Sequence, residues 1–185
     1  GFKRDLENDI RLFHVFVDNM KVYEAQFNAG KVKDSKLERL KEILAEKVNI
    51  SHKRVLVFTS YSDTAKYLYQ QLSKDFPNVV ALVDGSGATF KGVHESKFQN
   101  TLCRFSPMSK LYREMDWVPL YKQYFPHSDS HFDYEKRKWN VTFAEWKKVI
   151  EAYKDKNEMA RRAYQALNEP VRILIATDCL SEGQN

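Results

Sequence analysis

ILIATDCLSEGQN, residues Ile173 to Asn185, is the stretch whose reading decides the fold. Ile173 to Ala176 are apolar and β-prone, which makes a short buried strand. The strand runs directly into Thr177-Asp178 and then Ser181-Glu182-Gly183, with no proline between. Hydroxyls, carboxylates and a permissive glycine just past a buried strand suit a loop that faces phosphate or ribose at the edge of an open parallel sheet.

Working outward, the same grammar recurs. Val55 to Ser60 (VLVFTS) predicts a buried strand, followed by an amphipathic helix over Ser62 to Asp75 with Ala65, Leu68 and Leu72 inward. Val79 to Asp84 predicts a second strand, ended by Gly85-Ser86-Gly87. A helix follows over His94 to Phe105, stopped by Pro107. Alternating strands and helices predict an α/β domain built on a parallel sheet. Ahead of it, Leu6, Ile10, Phe13, Val17 and Met20 set a helix over residues 2–28, and a basic linker surrounds Gly30. Ser35 and Glu38 have capping-box spacing for another helix, with Leu37, Leu40, Leu44 and Val48 on one face. The domain reading is therefore 1–33 for the N-terminal helix and linker, and 34–185 for the α/β lobe.

One connection breaks the rhythm. A link between a helix and the next strand of such a sheet normally takes about two to six residues. Here residues 110–169 intervene before the strand Val171 to Ala176. The segment is dense in aromatics and charges, and Thr142 and Glu145 form another capping box. Phe143, Trp146, Ile150 and Tyr153 continue a helical spacing toward Leu167, and Pro170 stops it. This is read as a helical insertion on an α/β core.

With 185 residues, 43% of them hydrophobic and 30% charged, the chain can bury a sizeable core. No apolar run approaches the length that spans a bilayer, and no signal peptide opens the chain, so no membrane partner is expected. Net charge is +5 and the pI is about 9.0, compatible with a polyanionic partner. Interspersed acidic residues fit an ordinary solvated surface equally well. Cys103 and Cys179 lack metal-ligand spacing and point to a reducing compartment, the cytoplasm.

Functional groups of an open parallel sheet gather beyond the carboxyl ends of its strands. Three such ends are Thr59-Ser60-Tyr61, Asp84-Gly85-Ser86-Gly87 and Thr177-Asp178, two of them leading into helices whose amides can receive phosphate. Polar residues follow strands wherever turns need them. Three such ends on one sheet of a basic chain nevertheless favour a nucleic-acid backbone, which Ser, Thr and main-chain N–H groups position.

The string ATDCLSEGQN resembles motif V of the superfamily-two helicases and their Swi/Snf-type relatives. VLVFTSYSDTAKYLYQQL (Val55 to Leu72) resembles motif IV. DSKLERLKEIL (Asp34 to Leu44) resembles the segment that opens the second lobe of bacterial Swi/Snf-like proteins. VDGSGA with HESKFQNTLCRFSP (His94 to Pro107) is similar to their glycine turn and helix ending in Arg-Phe. Order and spacing agree over residues 34–109 and 170–185; the insertion lies outside the common pattern. The resemblance implies a RecA-like three-layer lobe, a parallel sheet flanked by helices. It would work with a first RecA-like lobe of the same polypeptide on nucleic acid, DNA before RNA. It further implies that Thr59 or Ser60 and Thr177 contact the phosphodiester backbone, with Gly85 and Ser181 in the same set. Glu182, Gly183 and Asn185 form the ATP-facing set. There Gly183 allows close approach, Asn185 stands beside the ribose, and Glu182 ties the motif to neighbouring loops.

ATP and Mg²⁺ are thus expected as cofactors of a longer polypeptide and not of this chain alone. The phosphate-loop Lys and the Mg²⁺-binding acidic motif belong to the first lobe, and the arginine fingers to a segment after Asn185. Gly87-Ala-Thr-Phe-Lys-Gly92 has the glycine spacing of a phosphate loop, but Val93 and His94 occupy the positions of the required Lys and Ser/Thr. No catalytic or metal-binding residue is assigned. His127 and His131 are read as a surface loop rather than a zinc site, and Thr142 in Asn140-Val-Thr142 as a helix cap rather than part of a glycosylation site. Tyr134 to Lys148 interleaves basic and aromatic residues as single-strand binders do; an amphipathic helix is the preferred reading. The rival to the motor is an inactive nucleic-acid or protein binding module on a degenerate motor fold. An unrelated α/β enzyme, such as a nucleotide-sugar transferase lobe, would need an acidic site that the sequence lacks.

Overall fold

Three of the apolar runs lie side by side as parallel strands: β1 (Val55–Phe58), β7 (Ile173–Ala176) and β2 (Val80–Asp84), with β7 in the middle. This computed structural model describes residues 2–125 and 131–178. The sheet is mixed rather than wholly parallel. Beyond β2, the strands β3 (Gly87–Phe90) and β4 (Val93–Glu95) are added antiparallel, giving the order β1-β7-β2-β3-β4. The expected turn after Asp84 is a two-residue hairpin at Gly85-Ser86, and the expected helix from His94 starts only at Gln99, as α4 (Gln99–Phe105).

Local chemistry explains the hairpin. Lys91 and Gly92 take φ 52° and 76° between β3 and β4. Left-handed conformations at both central residues match the twist of a two-residue hairpin. The string with phosphate-loop spacing is therefore a strand and a tight turn. Gly87, at φ 135°, is where β3 and β4 come closest: a Cβ there would sit 2.2 Å from the carbonyl oxygen of Glu95. Only glycine fits.

β7 and β2 are buried at every position, whereas β1 is an edge strand with Leu56 and Phe58 exposed. The reading of Val55 to Ser60 as a buried strand is corrected accordingly. A four-residue apolar run does not by itself say how many neighbours a strand has. Ala81, Val83 and Leu174 pack with Phe98 and with Leu102 and Phe105 of α4. The alternate positions point to the opposite face, and α3 (Ser62–Asp75), with Ala65 and Leu72 fully buried, packs against β2 and β7. Helices thus cover both faces of the sheet.

The inserted segment is a small folded layer with its own core. A π-helical turn (Met108–Arg113), α5 (Val118–Tyr124), a short hairpin of β5 (Phe132–Asp133) with β6 (Lys138–Trp139), α6 (Phe143–Tyr153) and α7 (Glu158–Asn168) follow in order. Their buried side chains include Leu111, Trp117, Leu120, Trp146, Ile150 and Ala163, and Cys103 of α4 joins them. The single helix expected from Thr142 to Leu167 is two helices. Asn157 caps the second, its Oδ1 accepting from Ala160 N at 3.0 Å. Arg104 ties the layer to the sheet: its Nη1 donates to Glu169 Oε2 at 2.8 Å and to the carbonyl of Glu169 at 3.1 Å. Lys91 reaches the other carboxylate oxygen of Glu169 at 2.9 Å. Arg104, part of the Arg-Phe ending noted above, thereby satisfies the carboxyl end of α7.

The capping box at Thr142 and Glu145 forms in full. The Thr142 amide and hydroxyl and the His131 ring, in that order, hold the Glu145 carboxyl down at about 2. Thr142→Ala is expected to lower the unfolding free energy by about 1 kcal/mol, read as a drop in urea midpoint at unchanged slope. The other proposed box does not form. Asp34, not Ser35, caps α2 (Ser35–Ala45), accepting from the amides of Lys36 and Leu37 at 3.0 Å each, and Glu38 pairs with Lys41.

The chain divides into two compact units, Gly1–Ile43 and Leu44–Asn185. In the first, α1 (Phe2–Asn28) has the expected length and no buried residue; Leu6, Ile10, Phe13, Val17 and Met20 are all exposed. Among the described residues no helix is long and apolar enough to cross a membrane.

Candidate functional site

Strand register builds this site. Phe58, Ala176 and Val83 are Cα partners across β1, β7 and β2, so the next residues, Thr59, Thr177 and Asp84, leave the sheet at one level. The amides of Thr59 and Thr177 continue the ladder by one more bond each, to Ala176 O at 3.0 Å and Val83 O at 3.1 Å. That extra rung holds both threonines in fixed positions at the carboxyl edge. Thr177 is buried and Thr59 half-buried, while Ser60 and Gly85 are exposed.

Asp84, which the sequence marks only as the end of a strand, organises the edge. It is 6% exposed. One carboxylate oxygen accepts from the Ser86 amide at 2.9 Å and the Ser86 hydroxyl at 2.6 Å. The other accepts from the Ser62 hydroxyl at 3.1 Å. Burial pushes the Asp84 carboxyl up. The two Ser86 bonds, the Ser62 bond and the charge of Lys66 outweigh it and hold the group below the usual carboxylate range. One buried anion thus fixes both the β2–β3 turn and the first turn of α3. The signal available in sequence was an Asp closing a fully apolar strand with serines on both flanking loops.

Of the expected set, Thr59, Ser60, Gly85 and Thr177 come together on this edge. Ser181, Glu182, Gly183 and Asn185 lie outside the described residues, as do Cys179 and His127. Only the Thr59 end is seen to lead into a helix. Tyr61 stands at the amino end of α3 with no side-chain cap, and its amide donates to Thr59 Oγ1 at 3.4 Å. The Gly85 end leads into β3 instead, so it offers hairpin amides and no helix terminus. The edge is rich in hydroxyls and carries the carboxylates of Asp84 and Asp178, with Lys66 as the cation acting on Asp84. It can position a ligand through Oγ and N–H donors.

His131 is engaged elsewhere, stacked on Phe125 with ring centroids 4.0 Å apart and 3.1 Å from Glu145. Among the described residues no cluster of His, Cys, Asp or Glu could hold a metal ion. No protein-family model, curated protein or solved structure matches the chain.

Proposed function

We propose that this chain is the second RecA-like lobe of an ATP-dependent nucleic-acid helicase or translocase. Its sheet edge would grip the backbone of the tracked strand and form one wall of an ATP site shared with a first lobe. The observation that carries the reading is the alignment of Thr59, Thr177 and Asp84 across three parallel strands. Threonine hydroxyls fixed by ladder bonds are suited to phosphate oxygens, which take much of their contact from Ser, Thr and main-chain N–H donors. A central strand running into Thr-Asp, with helices on both faces of the sheet, agrees with the resemblance to motif V. Glu182, Gly183 and Asn185 are assigned to the ATP side on that resemblance alone.

The test is ATP hydrolysis by the polypeptide that contains both lobes, with and without double-stranded DNA, single-stranded DNA and RNA. Stimulation is expected from DNA, and Thr177→Ala should reduce it by about tenfold or more, the loss of one well-placed contact. The 185-residue chain alone should hydrolyse nothing, since it has no phosphate-loop lysine. Absence of stimulation with both lobes folded would favour the rival reading, an inactive binding module on a motor-like fold.

A further inference from the structure

The inserted layer carries a cleft that the sheet edge does not account for. It opens between the turn after the π-helical segment and the β5–β6 hairpin, encloses about 650 Å³, and is lined in part by Tyr112, Met115 and Trp139. These three are half-buried and border the opening. Such a volume accommodates a ligand of nucleotide size or larger.

Its charge is one-sided. Arg113, Arg137 and Lys138 line the cleft against a single carboxylate, Asp116. All three cations are exposed. None makes a side-chain hydrogen bond or ion pair among the described residues. Their neighbours behave otherwise: Lys110 pairs with Glu114, Lys136 with Asp133 and Lys154 with Glu151. Lys122, Lys148 and Lys156 of the layer also carry no ion pair among the described residues, but none of them lines the cleft, which gathers Arg113, Arg137 and Lys138 at one opening. Arg137 also takes φ 50° in the β5–β6 turn, a conformation that costs a long side chain more than it would a glycine or asparagine.

We propose that this cleft binds single-stranded nucleic acid. A base stacks on the open part of the Trp139 indole, which Tyr121 and Phe132 support at centroid distances of 5.8 and 5.6 Å. Flanking phosphates pair with Arg113, Arg137 and Lys138. An aromatic platform beside guanidinium groups is the chemistry that single strands use, because every base has a π face and every linkage an anion. Asp116 separates this ligand from an acidic peptide. One of its oxygens accepts from the Val118 amide at 3.0 Å, and the carboxylate can also accept from a base amino group. It would repel any anion placed beside it, so the acceptor it offers suits the amino edge of a base lying between the phosphates rather than a run of carboxylates. Neither Thr59 nor Thr177 lines the cleft, and the site does not require the motor reading.

The experiment titrates the 185-residue chain with short oligodeoxycytidylate, following tryptophan emission and the anisotropy of a labelled strand. Trp146 is fully buried and Trp117, nearly so, also borders the cleft, so the Trp139→Phe variant is what assigns the quenching to Trp139. Quenching is expected, and Trp139→Phe should remove most of it while retaining a ring to stack on. Arg113→Glu with Arg137→Glu should weaken binding by about tenfold or more and flatten its salt dependence. A charge-matched control, Lys53→Glu with Lys156→Glu, should change affinity by about twofold at most. The proposal is overturned by affinity equal in the cleft variant and the control, by binding without quenching, or by no binding at low salt. Displacement of the strand by polyglutamate at equal concentration would overturn it in favour of an acidic-peptide site. If the two-lobe polypeptide shows no nucleic-acid-stimulated hydrolysis while the cleft still binds, the motor reading fails and this one stands.

Discussion

Trp146→Ala should cost about 3–5 kcal/mol of stability, the range for truncating a fully buried large aromatic. Trp146 has no exposed surface and sits at the centre of the inserted layer. Its ring lies 5.4 Å from Tyr112, 5.3 Å and edge-on from Trp117, and 5.2 Å from Phe143. Alanine would leave a cavity walled by three other rings, which cannot collapse into it because Trp117 is itself tied to the Leu111 carbonyl at 2.8 Å. The indole N–H, however, has no hydrogen-bond partner among the described residues. A buried donor without an acceptor costs about 1–3 kcal/mol. Trp146→Phe therefore removes that penalty along with part of the packing, and its net loss should be well under half that of alanine. Urea unfolding of the two variants decides the matter; equal losses would mean that the ring's contacts are not what holds the layer. Near-UV circular dichroism should collapse in the alanine variant and persist in the phenylalanine one.

The parts of this molecule that were legible in its sequence are those where one local signal is enough. Ser62 to Asp75 reads as a helix from its spacing alone, and Thr142 with Glu145 announces the start of α6. The parts that were not legible depend on partners distant in sequence. Val55 to Phe58 and Ile173 to Ala176 are similar apolar runs, yet one is an edge strand and the other central, because β7 enters between β1 and β2 after more than a hundred intervening residues. Gly87 to Glu95 read as a loop and a helix start because its strands are short and polar on one side. Pairing with β2, which no local pattern records, makes them strands. The break between α6 and α7 carries neither proline nor glycine, and only the Asn157 cap marks it. At the edge itself, Thr59, Thr177 and Gly85 could be named from their positions after strands. The role of Asp84 could not, since it depends on Ser62, twenty-two positions earlier, facing the same carboxylate.

That carboxylate yields the second large effect. Asp84→Ala should cost about 2–4 kcal/mol, since bonds to a buried charged acceptor each contribute about 1.5–3 kcal/mol and the freed serines recover part of theirs from water. The loss would fall on the sheet edge, releasing the β2–β3 turn from the first turn of α3 beside Thr59 and Thr177. Asp84→Asn keeps the shape, removes the charge and isolates the titration. The folded-state pKa of Asp84 is depressed, so its contribution is fully present above the unfolded value of about 3.9. It is lost as pH falls through the still lower folded value. The stability difference between the wild-type chain and Asp84→Asn should therefore be flat from neutral pH down to about 5 and narrow below about 4. A gap that instead widens on acidification would mean that Asp84 is held protonated by its burial. The edge would then present a neutral donor to its ligand in place of an anion braced by serines, and the repulsion that a bound phosphate feels there would be smaller.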